Sequence, residues 1–110
     1  MKPEAARKYA LSLPEANEEP HFESASFRVR GKIFATLPPG GARMNIFVAE
    51  DVRAPLIAAN PETFQALHWG AKVVGVAVVL ARADAAAVNR LLRLSWAGKA
   101  PKRLAASHQE

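Results

Sequence analysis

The sequence predicts a single α+β domain in which helices cover one face of an antiparallel sheet. Three observations lead there. Runs between residues 25 and 49 alternate apolar and polar side chains and are joined by short Gly- or Pro-rich turns, the pattern of an antiparallel meander. Helical periodicity dominates at the two ends of the chain instead of alternating with every strand, which argues against a doubly wound parallel sheet. A length of 110 residues, with half of them apolar, suits one hydrophobic core.

Pro3 fits a first helical turn, where its missing N–H is no loss. Ala6, Tyr9, Ala10 and Leu13 then recur at three- to four-residue spacing, so residues 3–12 read as an amphipathic helix that Pro14 ends. Residues 15–23, acidic and bounded by Pro14 and Pro20, are expected as a loop or single turn. Over residues 25–37, Phe27 and Val29 alternate with Arg28 and Arg30, and Gly31-Lys32 marks a hairpin turn before Ile33, Phe34, Ala35, Thr36 and Leu37. Pro38-Pro39-Gly40-Gly41 makes a second turn. A third strand follows with Met44, Ile46 and Val48 on one face and Arg43, Asn45 and Phe47 on the other.

Asp51 can cap a short helix carrying Val52, Leu56 and Ile57, with Pro55 limiting its regularity. Residues 63–69 suit a brief fourth strand, and the Val-rich residues 73–81 a buried fifth. Asp84 then caps the last helix, with Ala85, Val88, Leu91, Leu92, Ser95 and Trp96 along one side, ended by Gly98 and Pro101. Residues 104–110 are expected as a mobile tail. The sheet face away from the helices is left open, with Arg28, Arg30, Arg43 and Asn45 expected on it.

Composition excludes several classes. Without cysteine there are no disulfides, thiolate metal sites or cysteine nucleophiles, and the cytoplasm is the compartment that fits. The N-terminal residues lack a signal-peptide pattern, and the longest apolar run falls far short of the ~20 residues that span a bilayer, so no membrane association is expected. The net charge of +5 is uneven: residues 82–103 hold six of the cations and a single carboxylate. Such asymmetry suits a polyanionic partner, and equally a solubilising surface.

Taken in order, Leu13-Pro14-Glu15-Ala16, His21-Phe22-Glu23 and Ser26-Phe27-Arg28-Val29-Arg30-Gly31-Lys32-Ile33-Phe34-Ala35-Thr36-Leu37 resemble the N-terminal half of the MmcQ/YjbR family. Trp69-Gly70, the strand around residues 76–80, Ser95-Trp96 and Ala100-Pro101-Lys102-Arg103-Leu104 are similar to its closing strand, helix and tail, so the likeness covers nearly the whole chain. The resemblance implies a fold like that of the bacterial frataxin homologues (CyaY-like) and DNA binding, the activity with which the family is commonly labelled. It transfers no catalytic or base-reading residues to this sequence, and fold by itself does not decide function.

Nucleic acid is therefore the leading partner. Phosphate contacts are expected from Arg28, Arg30, Lys32 and Arg43 on the sheet, and from Arg93, Lys99, Lys102 and Arg103 in the C-terminal segment. Cations in and after a last helical turn also complement the macrodipole with no ligand at all. Phe47 could stack on a base or anchor a protein docked on the open sheet face, which is the alternative function, although cover by the short helix after Asp51 accounts for it better. Trp69 and Trp96 are expected in the core or at its edge.

Glu15, Glu18, Glu19, His21 and Glu23 form the one oxygen-and-nitrogen cluster, and a solvated acidic loop accounts for it better than a metal site, so neither metal nor cofactor is expected. The serines lie in no nucleophile elbow and the glycines in no phosphate loop, so the chain does not read as an enzyme.

Overall fold

The structure, a computed structural model, describes residues 1–108. Helix α1 (Pro3–Ser12) leads into strand β1 (Ala16–His21), which with β2 (Ser24–Val29), β3 (Lys32–Leu37) and β4 (Arg43–Ile46) forms a meander. Helix α2 (Glu50–Ala59) connects to β5 (Phe64–Trp69) and β6 (Lys72–Val79), and a single 3-10 turn leads to the long α3 (Ala85–Lys99) and a short α4 (Lys102–Ser107). The six strands form one antiparallel sheet in the order β1-β2-β3-β4-β6-β5, giving the expected α+β class with one strand more than the sequence suggested.

That extra strand is the acidic segment read as a loop. Ala16 to His21 pair residue for residue with β2, from Ala16 opposite Val29 to His21 opposite Ser24. Its composition suits a sheet edge: Pro20 costs no ladder bond on an unpaired side, and exposed Glu18 and Glu19 discourage further pairing. No apolar alternation marks it, because almost every side chain of β1 stays in water.

Phe27, Ala35, Ile46 and Val76 form one cross-strand row, all fully buried, and the helices lie over it. Val88, Leu91, Leu92 and Trp96 of α3, and Ala6 and Ala10 of α1, fill the same core; Val52, Leu56 and Ile57 of α2 pack at its margin. Buried Ser95 donates from Oγ to the Phe34 carbonyl at 2.6 Å, and Trp96 Nε1 donates to the Pro14 carbonyl at 2.9 Å, so α3 is tied both to β3 and to the end of α1. These bonds satisfy polar groups that burial would otherwise penalise by roughly 1–3 kcal/mol each.

Several details depart from expectation. Ala85 is exposed rather than core-facing. Asp84 occupies the N-cap position of α3 without a side-chain capping bond, and the helix continues through Gly98 to Lys99. The expected tail begins instead as α4, whose Leu104 and Ala105 rest on the core, while the ring of His108 meets Trp96 edge-on at 5.3 Å. The last two residues of that tail lie outside the described residues.

Candidate nucleic-acid interface

The strand register decides which of the candidate cations stand together. Strands β3 and β6 begin, and β2, β4 and β5 end, at the same end of the sheet, here called the turn end because the β2–β3 and β5–β6 turns lie there. Helix α3 runs from the opposite end, where β6 leaves the sheet, and finishes at the turn end, since Ser95 lies on Phe34 and Lys99 follows one helical turn later.

Lys32 opens β3 opposite buried Val29, and Lys72 opens β6 opposite Trp69. Strands β3 and β6 are two spacings apart, roughly 10 Å, and β5 with Trp69 is one further; Lys32 shares the helix-covered face with Val29, and Trp69 and Lys72 the uncovered one. The Lys99 ammonium stands 5.8 Å from the centroid of the Phe47 ring, a cation–π distance, and Lys102 and Arg103 follow exposed in the first turn of α4. The turn end thus collects Lys32, Lys72, Lys99, Lys102 and Arg103, and among the described residues none of them has a carboxylate within 4 Å. Among the described residues the carboxylates at this end are Glu15, Glu50 and Asp51, and of these Glu15 is already committed.

Glu15 is held by Arg30, whose Nε and Nη2 reach its two carboxylate oxygens at 2.5 and 3.1 Å. Both residues have left-handed backbone, Glu15 with φ 58° between α1 and β1 and Arg30 with φ 51° in the two-residue β2–β3 turn. That conformation is uncommon for side chains of this size. The forked pair clasps the two turns together. The hydrogen bond from Arg30, assisted by its charge, holds the Glu15 carboxyl below the usual range, and the same bond raises the Arg30 guanidinium.

The remaining expected contacts are scattered. Arg28 lies half-buried on the uncovered sheet face opposite Ile33, and its Nε donates to Ser26 Oγ at 3.0 Å. Arg43 is on that face too, opposite Val79, but at the far end of the sheet. Strand geometry puts the two arginines roughly 16 Å apart at Cα. Arg93 is turned toward α1, with Nη1 3.5 Å from the Tyr9 hydroxyl. Phe47 lies beyond the end of β4, against Lys99 rather than beside Arg43 and Asn45. Arg30 leaves the open face for Glu15.

The acidic group disperses likewise. Glu18 pairs with Arg7, Asn17 donates to Glu19, and among the described residues no three histidine or carboxylate side chains gather as they would around a metal.

Two residues of this end escaped the sequence reading. Trp69, expected in the core or at its edge, is 78% exposed, and Lys72 was not singled out. The signal was there: Gly70-Ala71 between two apolar runs is the Gly-X signature of a two-residue hairpin, which makes the flanking Trp69 and Lys72 direct neighbours across the strands.

The YjbR family model matches residues 11–97. A matching solved structure is the crystal structure of Deinococcus radiodurans protein DR2400, with a domain designated DUF419. It has 23% sequence identity to this chain and a TM-score of 0.73, with 83% of this chain and 72% of that one covered. At that identity the likeness speaks for the fold alone. No curated protein matches. The chain belongs to the YjbR family, as a match over most of its length shows.

Proposed function

We propose that this YjbR-family protein is a nucleic-acid-binding module of the cytoplasm, not an enzyme, and that Lys32, Lys72, Lys99, Lys102 and Arg103, with Arg28 nearby, contact phosphates. One observation carries the reading: these cations gather at one end of the fold and, among the described residues, none has a carboxylate within 4 Å, while Arg30 at that same end, like Arg7 and Arg82 away from it, is matched to a glutamate. Unpaired like charges held close repel one another, and a polyphosphate turns that repulsion into attraction by releasing its counterions.

The test is salt dependence. Log affinity for DNA should fall linearly with log salt, by roughly 0.9 per duplex phosphate contacted or 0.7 per single-strand contact. Lys102→Ala and Arg28→Ala should each flatten the slope by around one contact and weaken unrelated sequences alike. Arg43→Ala, at the other end of the sheet, should leave the slope as it is. Affinity weaker than the roughly 10⁻⁴ M limit of ordinary non-specific binding near physiological salt, or a slope indifferent to Lys102 and Arg28, would sink the reading.

A protein docked on the uncovered sheet face is the second reading. In its favour, half-buried Ile33 and Val79 lie opposite Arg28 and Arg43 on that face with no helix over them. It predicts partner binding that is lost in Ile33→Asp and insensitive to Lys102→Ala.

A further inference from the structure

Trp69 is the clearest feature of the turn end that phosphate binding does not use. Its indole is 78% exposed, whereas Trp96, the other tryptophan, is 1% exposed in the core. An indole left in water forgoes a large apolar contact, and the fold leaves this one on its most constrained kind of support. Trp69 and Lys72 face each other across a two-residue loop, with Gly70 at φ 63° supplying the left-handed position such a tight turn requires.

We propose that Trp69 is a base-stacking residue and that the nucleic acid taken by this protein is single-stranded. The inference rests on the reading above and specifies its substrate. In a duplex the base faces are already stacked on one another and an indole at the surface gains nothing. In a single strand each base offers a free π-face, and the working arrangement is an aromatic platform beside cations that follow the backbone. Trp69 with Lys72 paired opposite it across the hairpin is such an arrangement. Because the hairpin is already fixed, little ordering is lost on binding. Phe22, 94% exposed, provides the contrast: it tips the β1–β2 turn between His21 and Glu23, on the acidic hairpin at the opposite end.

The experiment compares an oligothymidylate of about 12 nucleotides, within the site sizes usual for single-strand platforms, with a duplex of equal length. Affinity is read by fluorescence anisotropy of the labelled DNA, and tryptophan emission is followed in parallel. Oligothymidylate should quench the long-wavelength emission of exposed Trp69 and spare that of buried Trp96. Trp69→Ala should weaken oligothymidylate binding roughly 5- to 150-fold, the range for loss of one stacked base, with duplex binding and the salt slope unchanged. Phe22→Ala should change neither. If Trp69→Ala weakens both forms equally or neither, while the salt slope persists, stacking is refuted and the phosphate reading stands. If neither form binds the wild-type protein, both fall together.

Discussion

Gly75→Ala tests how the chain leaves the sheet on its way to the turn end. Gly75 is buried in β6 beneath the point where β4 departs toward α2. A Cβ at this position would stand 2.2 Å from the Ile46 carbonyl oxygen, 2.9 Å from the Phe47 Cα and 3.0 Å from the Ile46 carbonyl carbon. All three are backbone atoms, so no change of rotamer relieves the overlap. A carbon–oxygen contact needs about 3.3 Å, which means a main-chain displacement of about 1 Å. That shift would disturb the pairing of Ile46 with Val76 and the bond from the Phe47 N–H to the Phe34 carbonyl.

Overpacking of this kind costs about 1–3 kcal/mol, and rigid obstacles favour the upper end. Alanine's lower unfolded-state entropy returns up to about 1 kcal/mol. A net loss of about 2 kcal/mol corresponds to a fall in Tm of roughly 8–16 °C in a domain near this size. Gly98→Ala is the control, since a Cβ there meets nothing within 4 Å inside the last turn of α3. It should gain a few tenths up to about 1 kcal/mol. Melts followed by circular dichroism, with urea midpoints at constant m, report both changes. If Gly75→Ala melts within about 2 °C of wild type, against the shift expected from overpacking, the close crossing of β4 over β6 is wrong.

The parts of the fold legible in the sequence are those whose side chains divide between core and solvent. Phe27 and Val29 against Arg28, or Met44 and Ile46 against Arg43 and Asn45, state a period of two, and each faces as that period requires. Leu91, Leu92 and Trp96 do the same at helical period. Strand β1 was illegible because an edge strand here buries almost nothing, so its backbone pairing leaves no trace in hydropathy. Helix α4 was missed because its six residues are held by Leu104 and Ala105 against the core, contacts that only the folded chain supplies.

The candidate site was legible as a set of charges but not as a place. Residue type identifies Arg30 as a cation; only the approach of two turns distant in sequence reveals that Glu15 has claimed it. Lys102 and Arg103, beyond the last strand, come to the same end of the fold as Lys32, in the first half of the chain, because α3 runs back along the sheet. Alternation placed Phe47 on the open face, but β4 ends at Ile46 and the period no longer governs the residue after it.

Two further predictions concern the frame of this site. Leu91, 1% exposed in the middle of α3, should cost about 2–5 kcal/mol when truncated to alanine, and a loss below about 1 kcal/mol by urea denaturation would mean that α3 does not face the sheet as described. The clasp between Glu15 and Arg30 makes a prediction about acid. Because the folded-state carboxyl is held below its ordinary value by the Arg30 hydrogen bond, the unfolded chain takes up a proton first as pH falls. The stabilisation is therefore complete above the unfolded carboxyl value of about 4.3 and fades as pH drops through the depressed folded one. Both side chains are well exposed, so solvent screening keeps the contribution small, and direct titration reads it better than a melting curve. Carboxyl-carbon NMR should show Glu15 titrating below the ordinary glutamate value in the wild type and returning to it in Arg30→Gln. If Glu15 titrates at the ordinary glutamate value while Arg30 is present, the two turns are not clasped, and Arg30 must be counted again among the cations free to meet a phosphate.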